Sequence, residues 1–192
     1  MIEKNEVAHY PEIMTFIEML INSNFSANAI NTAQIYWKQG ELTSKIAEIA
    51  KEHPETSKCL LSYSRTTPPL NLDIFAVITN GNKFEVIILE IKKCKSVGLA
   101  EWSQLLGYCI VSDAKYGLLV NIDGEASDRL AGILATETDV SRVVRKKANG
   151  KEVEHLLGFM RWNSATRNLE YSNLGNIGSL SELSRMLADE FA

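Results

Sequence analysis

Apolar and polar positions follow two different periods along this chain. From Tyr10 to Asn24 the apolar residues Ile13, Phe16, Ile17, Leu20 and Ile21 recur every three to four positions, which predicts an amphipathic helix. Asn28 to Gln39 reads as a second helix. After a break at Gly40, Glu41 to Lys51 carries Leu42, Ile46 and Ile49 on one face, and His53-Pro54 ends it. The centre changes character. Lys58 to Tyr63 reads as a strand, and Thr66-Thr67-Pro68-Pro69 as a loop. Leu72 to Ile78 (LDIFAVI) and Phe84 to Ile91 (FEVIILEI) are rich in β-branched and aromatic residues. The turn Asn80-Gly81-Asn82 lies between them, so they predict a hairpin.

Beyond the hairpin, Leu99 to Val111 places Trp102, Leu105, Leu106, Cys109 and Ile110 at helical spacing. Tyr116 to Ile122 (YGLLVNI) is apolar without alternation, as suits a parallel strand covered on both faces. Strand, helix and strand here make a unit whose crossover is expected to be right-handed. Arg129 to Thr136 reads as a short helix. Val140 to Lys147 and Val153 to Trp162 flank Asn149-Gly150, a second hairpin signal, and Leu169 to Ser172 adds a strand. Ser179 opens a last helix, with Glu182 at capping-box spacing. The pattern predicts an α/β fold: a mixed central sheet flanked by helices, with an added C-terminal hairpin. We expect a single domain over 1–192, with N-terminal helices in 1–55, the core in 56–136, and the hairpin and last helix in 137–192.

Composition narrows the class. At 192 residues, 45% hydrophobic and 23% charged, the chain is of ordinary globular make-up and long enough for a real core. No apolar run approaches the roughly 18 residues of a membrane span, and the start MIEKNEVAHYPE lacks a secretion signal. These features predict a cytoplasmic protein without a membrane partner. Cys59, Cys94 and Cys109 form no CxxC pair, and His9, His53 and His155 are scattered. A metal would therefore be held by oxygen and be a hard cation. A net charge of −4 gives no support to a nucleic-acid-coating role, although a local basic surface around an acidic site remains compatible with it.

Asp73 begins the first central strand, and Glu90 and Lys92 end the second. Alternation puts Glu90 and Lys92 on one face, and antiparallel pairing folds Asp73 beside Glu90. Two carboxylates and a lysine thus converge at one end of an apolar sheet. Such a set can hold Mg²⁺, with Mn²⁺ as a substitute, through carboxylates, waters and a phosphate. The lysine can orient the attacking water or stabilise developing charge.

The succession LDIFAVI, turn, VIILEIKK, helix and apolar strand resembles the PD-(D/E)XK nuclease superfamily. Within the helix, Gln104-Leu-Leu-Gly-Tyr108 is similar to the QxxxY motif of its RecB-like and phage-exonuclease-like branch. AKYGLLVNIDG resembles the strand that follows it. The likeness spans about Leu72 to Gly124, and Leu72 stands where the motif's proline would be. It implies a restriction-endonuclease-like core and Mg²⁺-dependent hydrolysis of DNA phosphodiester bonds by Asp73, Glu90 and Lys92. Gln104 and Tyr108 would then share a helix face toward the metal-bound water or the DNA backbone. It also implies an upstream glutamate, for which Glu41 is the first choice as a further catalytic residue and metal ligand, with Glu48 and Glu18 as alternatives.

Basic residues form two groups: Lys92, Lys93 and Lys95 leaving the catalytic strand, and Arg142, Arg145, Lys146, Lys147 and Lys151 around the second hairpin. Both groups are expectations for DNA phosphate contact, and Trp162 and Tyr171 for base stacking, against the plainer reading of solvated charges and core packing. The expected partner is DNA, with the chain acting alone, as a homodimer, or as a subunit of a larger nuclease assembly. The competing reading is a non-catalytic DNA-binding or assembly module that keeps the nuclease fold. An unrelated nucleotide-binding protein would need a glycine-rich phosphate loop, which is missing here.

Overall fold

The computed structural model describes residues 6–30, 33–81, 83–147 and 150–192, and the side chains of all of these except 57 and 171. The turn residues Asn82 and Asn149 and the side chain of Tyr171 therefore lie outside the described residues. In chain order the elements are α1 (Tyr10–Ala27), β1 (Gln34–Glu41), α2 (Leu42–Glu52), α3 (Ser57–Thr66), β2 (Asn71–Thr79), β3 (Phe84–Lys92) and β4 (Ser96–Val97). They continue as α4 (Leu99–Ser112), β5 (Tyr116–Ile122), β6 (Glu125–Ala126), α5 (Asp128–Thr136), β7 (Arg142–Lys146), β8 (Glu152–Asn163), β9 (Asn168–Gly175) and α6 (Leu180–Phe191).

The main sheet has seven strands in the order β1-β2-β3-β5-β8-β7, with β9 also paired to β8. β1, β2 and β3 form an antiparallel meander, whereas β3, β5 and β8 run parallel. This is the expected mixed sheet flanked by helices. All seven residues of β5 are buried, which explains its unbroken apolar sequence: helices cover both faces. α1 and α6 cover one face, where Ile13, Ile17, Ile21, Leu183 and Leu187 meet Ile74, Leu89 and Val120. α2, α4 and α5 cover the other, where Ile46, Trp102, Leu105 and Leu130 meet Phe75, Ile88 and Leu119. Each fully buried Leu, Ile or Phe side chain contributes roughly 1.5–3 kcal/mol relative to exposure. α4 seats closely because Gly117 leaves room for it: a Cβ there would lie 2.7 Å from Cys109 Sγ.

Three expectations are corrected. The segment 28–39 is not a second helix. α1 stops where Ala29 adopts a left-handed φ of 57°, and Gln34–Glu41 pairs with β2 as an edge strand. Ile35, Tyr36 and Trp37 favour the pleated, half-buried environment, and the neighbouring strand decides the matter. Residues 58–63 are helical, not a strand. Thr56, Leu60 and Tyr63 recur at helical spacing, with Leu60 fully buried, and a short apolar run is ambiguous between the two periods. The C-terminal strands are not an addition outside the core either: β8 lies in the main sheet beside β5. Among the described residues no helix is long and apolar enough to cross a membrane.

Candidate functional site

The register of the central meander builds the site. Ile74 opposes Leu89 and Thr79 opposes Phe84, so Asp73 falls level with Glu90. Strict alternation breaks at Asp73: Leu72 and Phe75 enter the layer under α4, while Ile74 enters the layer under α1. A register shift in the β1 pairing between Lys38 and Gly40 accompanies this irregularity. Asp73 Oδ2 accepts a hydrogen bond from the Ile91 amide at 3.0 Å, which ties the carboxylate across to β3. The Lys92 ammonium donates to Glu90 Oε1 and lies 3.9 Å from Asp73 Oδ2. Asp73, Glu90 and Lys92 therefore meet as the sequence predicts.

Their environments differ. The Glu90 side chain is 2% exposed, whereas those of Asp73 and Lys92 are 30% and 28% exposed. Burial pushes the Glu90 carboxyl up to about 7, and the charges of Asp73 and Glu6 add to this against the pull of Lys92. Burial draws the Lys92 ammonium down, but its bond to Glu90 and the surrounding carboxylates outweigh this and hold its pKa above the ordinary value. Lys92 is thus a protonated donor in this arrangement.

Two further residues reach the same place. Tyr10 donates its hydroxyl to Glu6 Oε1 at 3.1 Å, and the Lys93 backbone also bonds the Glu6 carboxylate. Burial raises the Glu6 pKa, and the charge of Asp73 adds to the shift. Burial together with the charges of Asp73 and Glu6 keeps the Tyr10 phenol protonated. The only sequence signal for this pair was the spacing of four between Glu6 and the first residue of the α1 stripe. Asn121 was also missed. It is fully buried beside Lys92 in the register, and its amide bonds the Cys94 amide and carbonyl and the Glu125 carbonyl. It thereby closes the loop that leaves Lys92 into an arch over the strand ends. Gly124 makes that closure possible: a Cβ there would lie 1.9 Å from the Cys94 oxygen.

Glu41 does not complete the site. Its carboxylate is the N-cap of α2, accepting from the Thr43 and Ser44 amides at 2.9 and 2.8 Å and from both hydroxyls. Burial raises its pKa, but those hydroxyls and amides together outweigh it and hold the value at about 2. The place at a helix start after Gly40 that suggested a catalytic acid is equally the place of a cap. Glu48 is held by Lys38 and Lys45. Glu18 lies eight residues along α1 from Tyr10, about 12 Å down the axis. Among the described residues no group of three or more His, Cys, Asp or Glu side chains is placed to hold a metal ion.

Gln104 Nε2 donates to the Tyr108 hydroxyl at 2.9 Å on the exposed side of α4, so the two share a face as expected. Neither bonds to Asp73, Glu90 or Lys92; α4 turns Trp102, Leu105 and Cys109 to the sheet. Lys93 and Lys95 follow Lys92 at the site's end of the sheet, and Lys95 is exposed. The second basic group is elsewhere. Lys146 pairs with Glu152, seven residues along β8 from Phe159, which lies level with Leu119 and Glu90. At about 3.3 Å per residue this displaces the hairpin from the level of the site by roughly 23 Å along the strands. Arg145 is engaged by Asp113, the Ile110 carbonyl and His155, and Lys147 by Asp113. Arg145, Lys146 and Lys147 therefore stand apart from Asp73, Glu90 and Lys92, and any phosphate contact they make lies outside that site. The cation that does share the level of Lys92 and Asn121 is Arg161, paired with Glu125 and Glu170 at 2.9 and 3.3 Å.

An oxygen-ligated cation fits Asp73 and Glu90 chemically. Mg²⁺ uses one or two carboxylates plus waters, and Glu90 is a buried carboxylate beside two others with one ammonium to offset them. No protein-family model, curated protein or solved structure matches this chain significantly.

Proposed function

We propose that this chain is a metal-dependent nuclease with a restriction-endonuclease-like core of the PD-(D/E)XK kind, hydrolysing DNA phosphodiester bonds. The observation that carries the reading is the meeting of Asp73, Glu90 and Lys92 at adjoining strand ends, with Glu90 buried and bonded to Lys92. The antiparallel β2-β3 pair followed by α4 and parallel β5 supports it, since the resemblance implies that order.

In this reading Asp73 and Glu90 would hold Mg²⁺ or Mn²⁺, and Glu6 would add negative charge nearby without serving as a third ligand. The ion when bound supplies Lewis acidity toward the scissile phosphate and an acidified water. Lys92 is a protonated donor that orients the attacking water and stabilises negative charge on the phosphoryl oxygens. The Asp73 bond to the Ile91 amide fixes one carboxylate oxygen before substrate arrives. Asn121 and the arch over it hold the Lys92 strand end in place.

The test is cleavage of single-stranded, duplex, nicked and four-way-junction DNA with Mg²⁺ and with EDTA. Cleavage that needs the ion and disappears in Asp73→Ala supports the proposal. Absence of cleavage on every substrate, with no calorimetric Mg²⁺ signal, would instead favour the non-catalytic module.

A further inference from the structure

Beside the Tyr10 end of α1 the surface opens into an apolar cavity of about 360 Å³. Thr15, Phe16 and Met19 of α1 form one wall, Trp162 and Arg167 of the β8-β9 hairpin the other, and Glu12 closes the rim. Three observations set this cavity apart from a packing defect. Phe16 and Trp162 meet edge to face, with ring centroids 5.8 Å apart at 75°. The Trp162 indole Nε1 is buried without a hydrogen-bond acceptor, although its residue lines the cavity and is 1% exposed. An orphaned buried N–H costs roughly 1–3 kcal/mol, so this wall is not a fully satisfied piece of core. Arg167 stands at the hairpin with a left-handed φ of 52°, its side chain 73% exposed and 3.5 Å from Glu12.

Position matters as much as content. Trp162 directly follows Arg161, which is level with Lys92 two strands away, about 10 Å across the sheet. Glu12 is two residues from Tyr10, whose hydroxyl reaches the carboxylate cluster through Glu6. Trp162 and Phe16 lie in the layer under α1, on the opposite face of the sheet from Arg161, so the cavity opens beside the strand ends on the α1 side.

We infer that this cavity receives an unstacked nucleobase flanking the scissile phosphate, so that the enzyme acts on single-stranded or frayed DNA. The inference rests on the nuclease reading for its substrate. A base brings apolar faces for Phe16, Met19 and the ring of Trp162. Its phosphate offers Arg167 a stronger partner than the solvated Glu12. A duplex keeps its bases stacked and paired, and so cannot fill the cavity without opening.

The probe is a thymidine tetranucleotide, compared with the same oligomer carrying an abasic residue, titrated in EDTA into the full chain labelled with ¹⁵N. The chain has three tryptophans, and Trp102 Nε1 is already bonded to the Val140 carbonyl at 3.0 Å, so its indole signal serves as an internal control. The Trp162 indole signal, assigned by its loss in Trp162→Phe, should move while that of Trp102 stays. The abasic oligomer should bind about 5- to 150-fold more weakly, the range expected for one stacked base. Phe16→Ala should remove that difference, and Phe16→Leu should do so with the wall volume largely kept; an unmoved Trp102 signal certifies both folds.

Equal affinity for the two oligomers, or a shift confined to Trp102, overturns the inference. So does a concentration-dependent dimer abolished by Phe16→Ala, which assigns the cavity to a second copy of the chain. Mg²⁺-dependent cleavage without base-dependent binding rejects the cavity and keeps the nuclease. Base-dependent binding without cleavage on any substrate does the reverse.

Discussion

Strand β3 carries a glutamate near each end, half-buried Glu85 and buried Glu90, and the two are treated differently. Glu85, near the start, and Glu90, near the finish, are both pushed up to about 7, in each case chiefly by burial. Around Glu85 the chain supplies cations. Lys83 and Lys115 both pair with Glu190 of α6, and the fields of Lys83, Lys115 and Lys151 oppose the shift at Glu85. Around Glu90 it supplies more acid: Asp73 and Glu6 lie close by, and among the described residues Lys92 is the ammonium bonded to the group. Burial alone therefore does not mark a functional carboxylate. What distinguishes the Glu90 end, among the described residues, is an excess of negative charge beside one protonated ammonium.

The largest expected effect separates the two ends by chemistry. Asp73→Ala and Glu90→Gln should each reduce Mg²⁺-dependent cleavage on the order of 1,000-fold, comparable to removing a principal transition-state contact. Glu85→Gln should leave the rate within about twofold. A single-turnover assay at saturating protein reads all three, and a fully active Glu90→Gln would erase the distinction between the ends. Next, Lys92→Ala should lose cleavage to a similar degree but keep Mg²⁺ binding in calorimetry. The substitution removes a positive charge beside Asp73 and Glu90, so affinity for the ion should hold or rise.

The stability effects are smaller and carry a definite sign. A carboxyl whose folded pKa is raised from 4.5 to about 7 binds protons more tightly in the fold than in the unfolded chain. Its favourable contribution is complete below pH 4.5 and disappears as pH rises through 7. At pH 8 each Glu→Gln change should therefore stabilise the protein, by about 1–3 kcal/mol at the nearly sealed Glu90. Mg²⁺ should raise the Tm of the parent and of Glu85→Gln, and leave Glu90→Gln nearly unmoved. Equal Mg²⁺ stabilisation of all three would move the ion away from Glu90.

The smallest functional effect concerns the hairpin on the Glu85 side. Replacing Arg145, Lys146 and Lys147 with Ala should change DNA affinity little and leave the salt slope within about one contact of the parent, where three lost duplex contacts would reduce it by about 2.7. Stability should fall by roughly 1–2 kcal/mol, because Asp113 and His155 lose their partners. His155 is fully buried, with Nδ1 against the Ala114 carbonyl, and burial lowers its pKa. Its contribution is present above the unfolded value near 6.5 and lost as pH falls toward the folded one, so acid should loosen this hairpin first. A salt slope reduced by the full amount would restore the hairpin as a DNA surface.

Much of the site was legible because it depends on local order. LDIFAVI and FEVIILEI could pair in one sensible register around a tight turn, and that register places Asp73 beside Glu90 and Lys92. Glu41 shows where such reading stops. An acidic residue at a helix start reads the same whether it binds an ion or caps its own amides, and only the position of its oxygens tells them apart. Glu6 and Tyr10 carried no distinguishing pattern, because what brings them to Asp73 is the packing of α1 across the sheet.

The sequence by itself determined the β2-β3 hairpin, the helix that follows it, the buried parallel strand, and the meeting of Asp73, Glu90 and Lys92 at the strand ends. Hydrophobic period and turn chemistry act over a few residues and are written in the chain. Tertiary structure alone decided that 34–41 is an edge strand, that 57–66 is a helix, and that β8 joins the main sheet beside β5. It also decided that the basic hairpin stands about 23 Å along the strands from the level of Glu90 while Glu6, Tyr10 and Arg161 stand near it. These outcomes depend on which surfaces meet across a hundred residues of chain, and no local period encodes that.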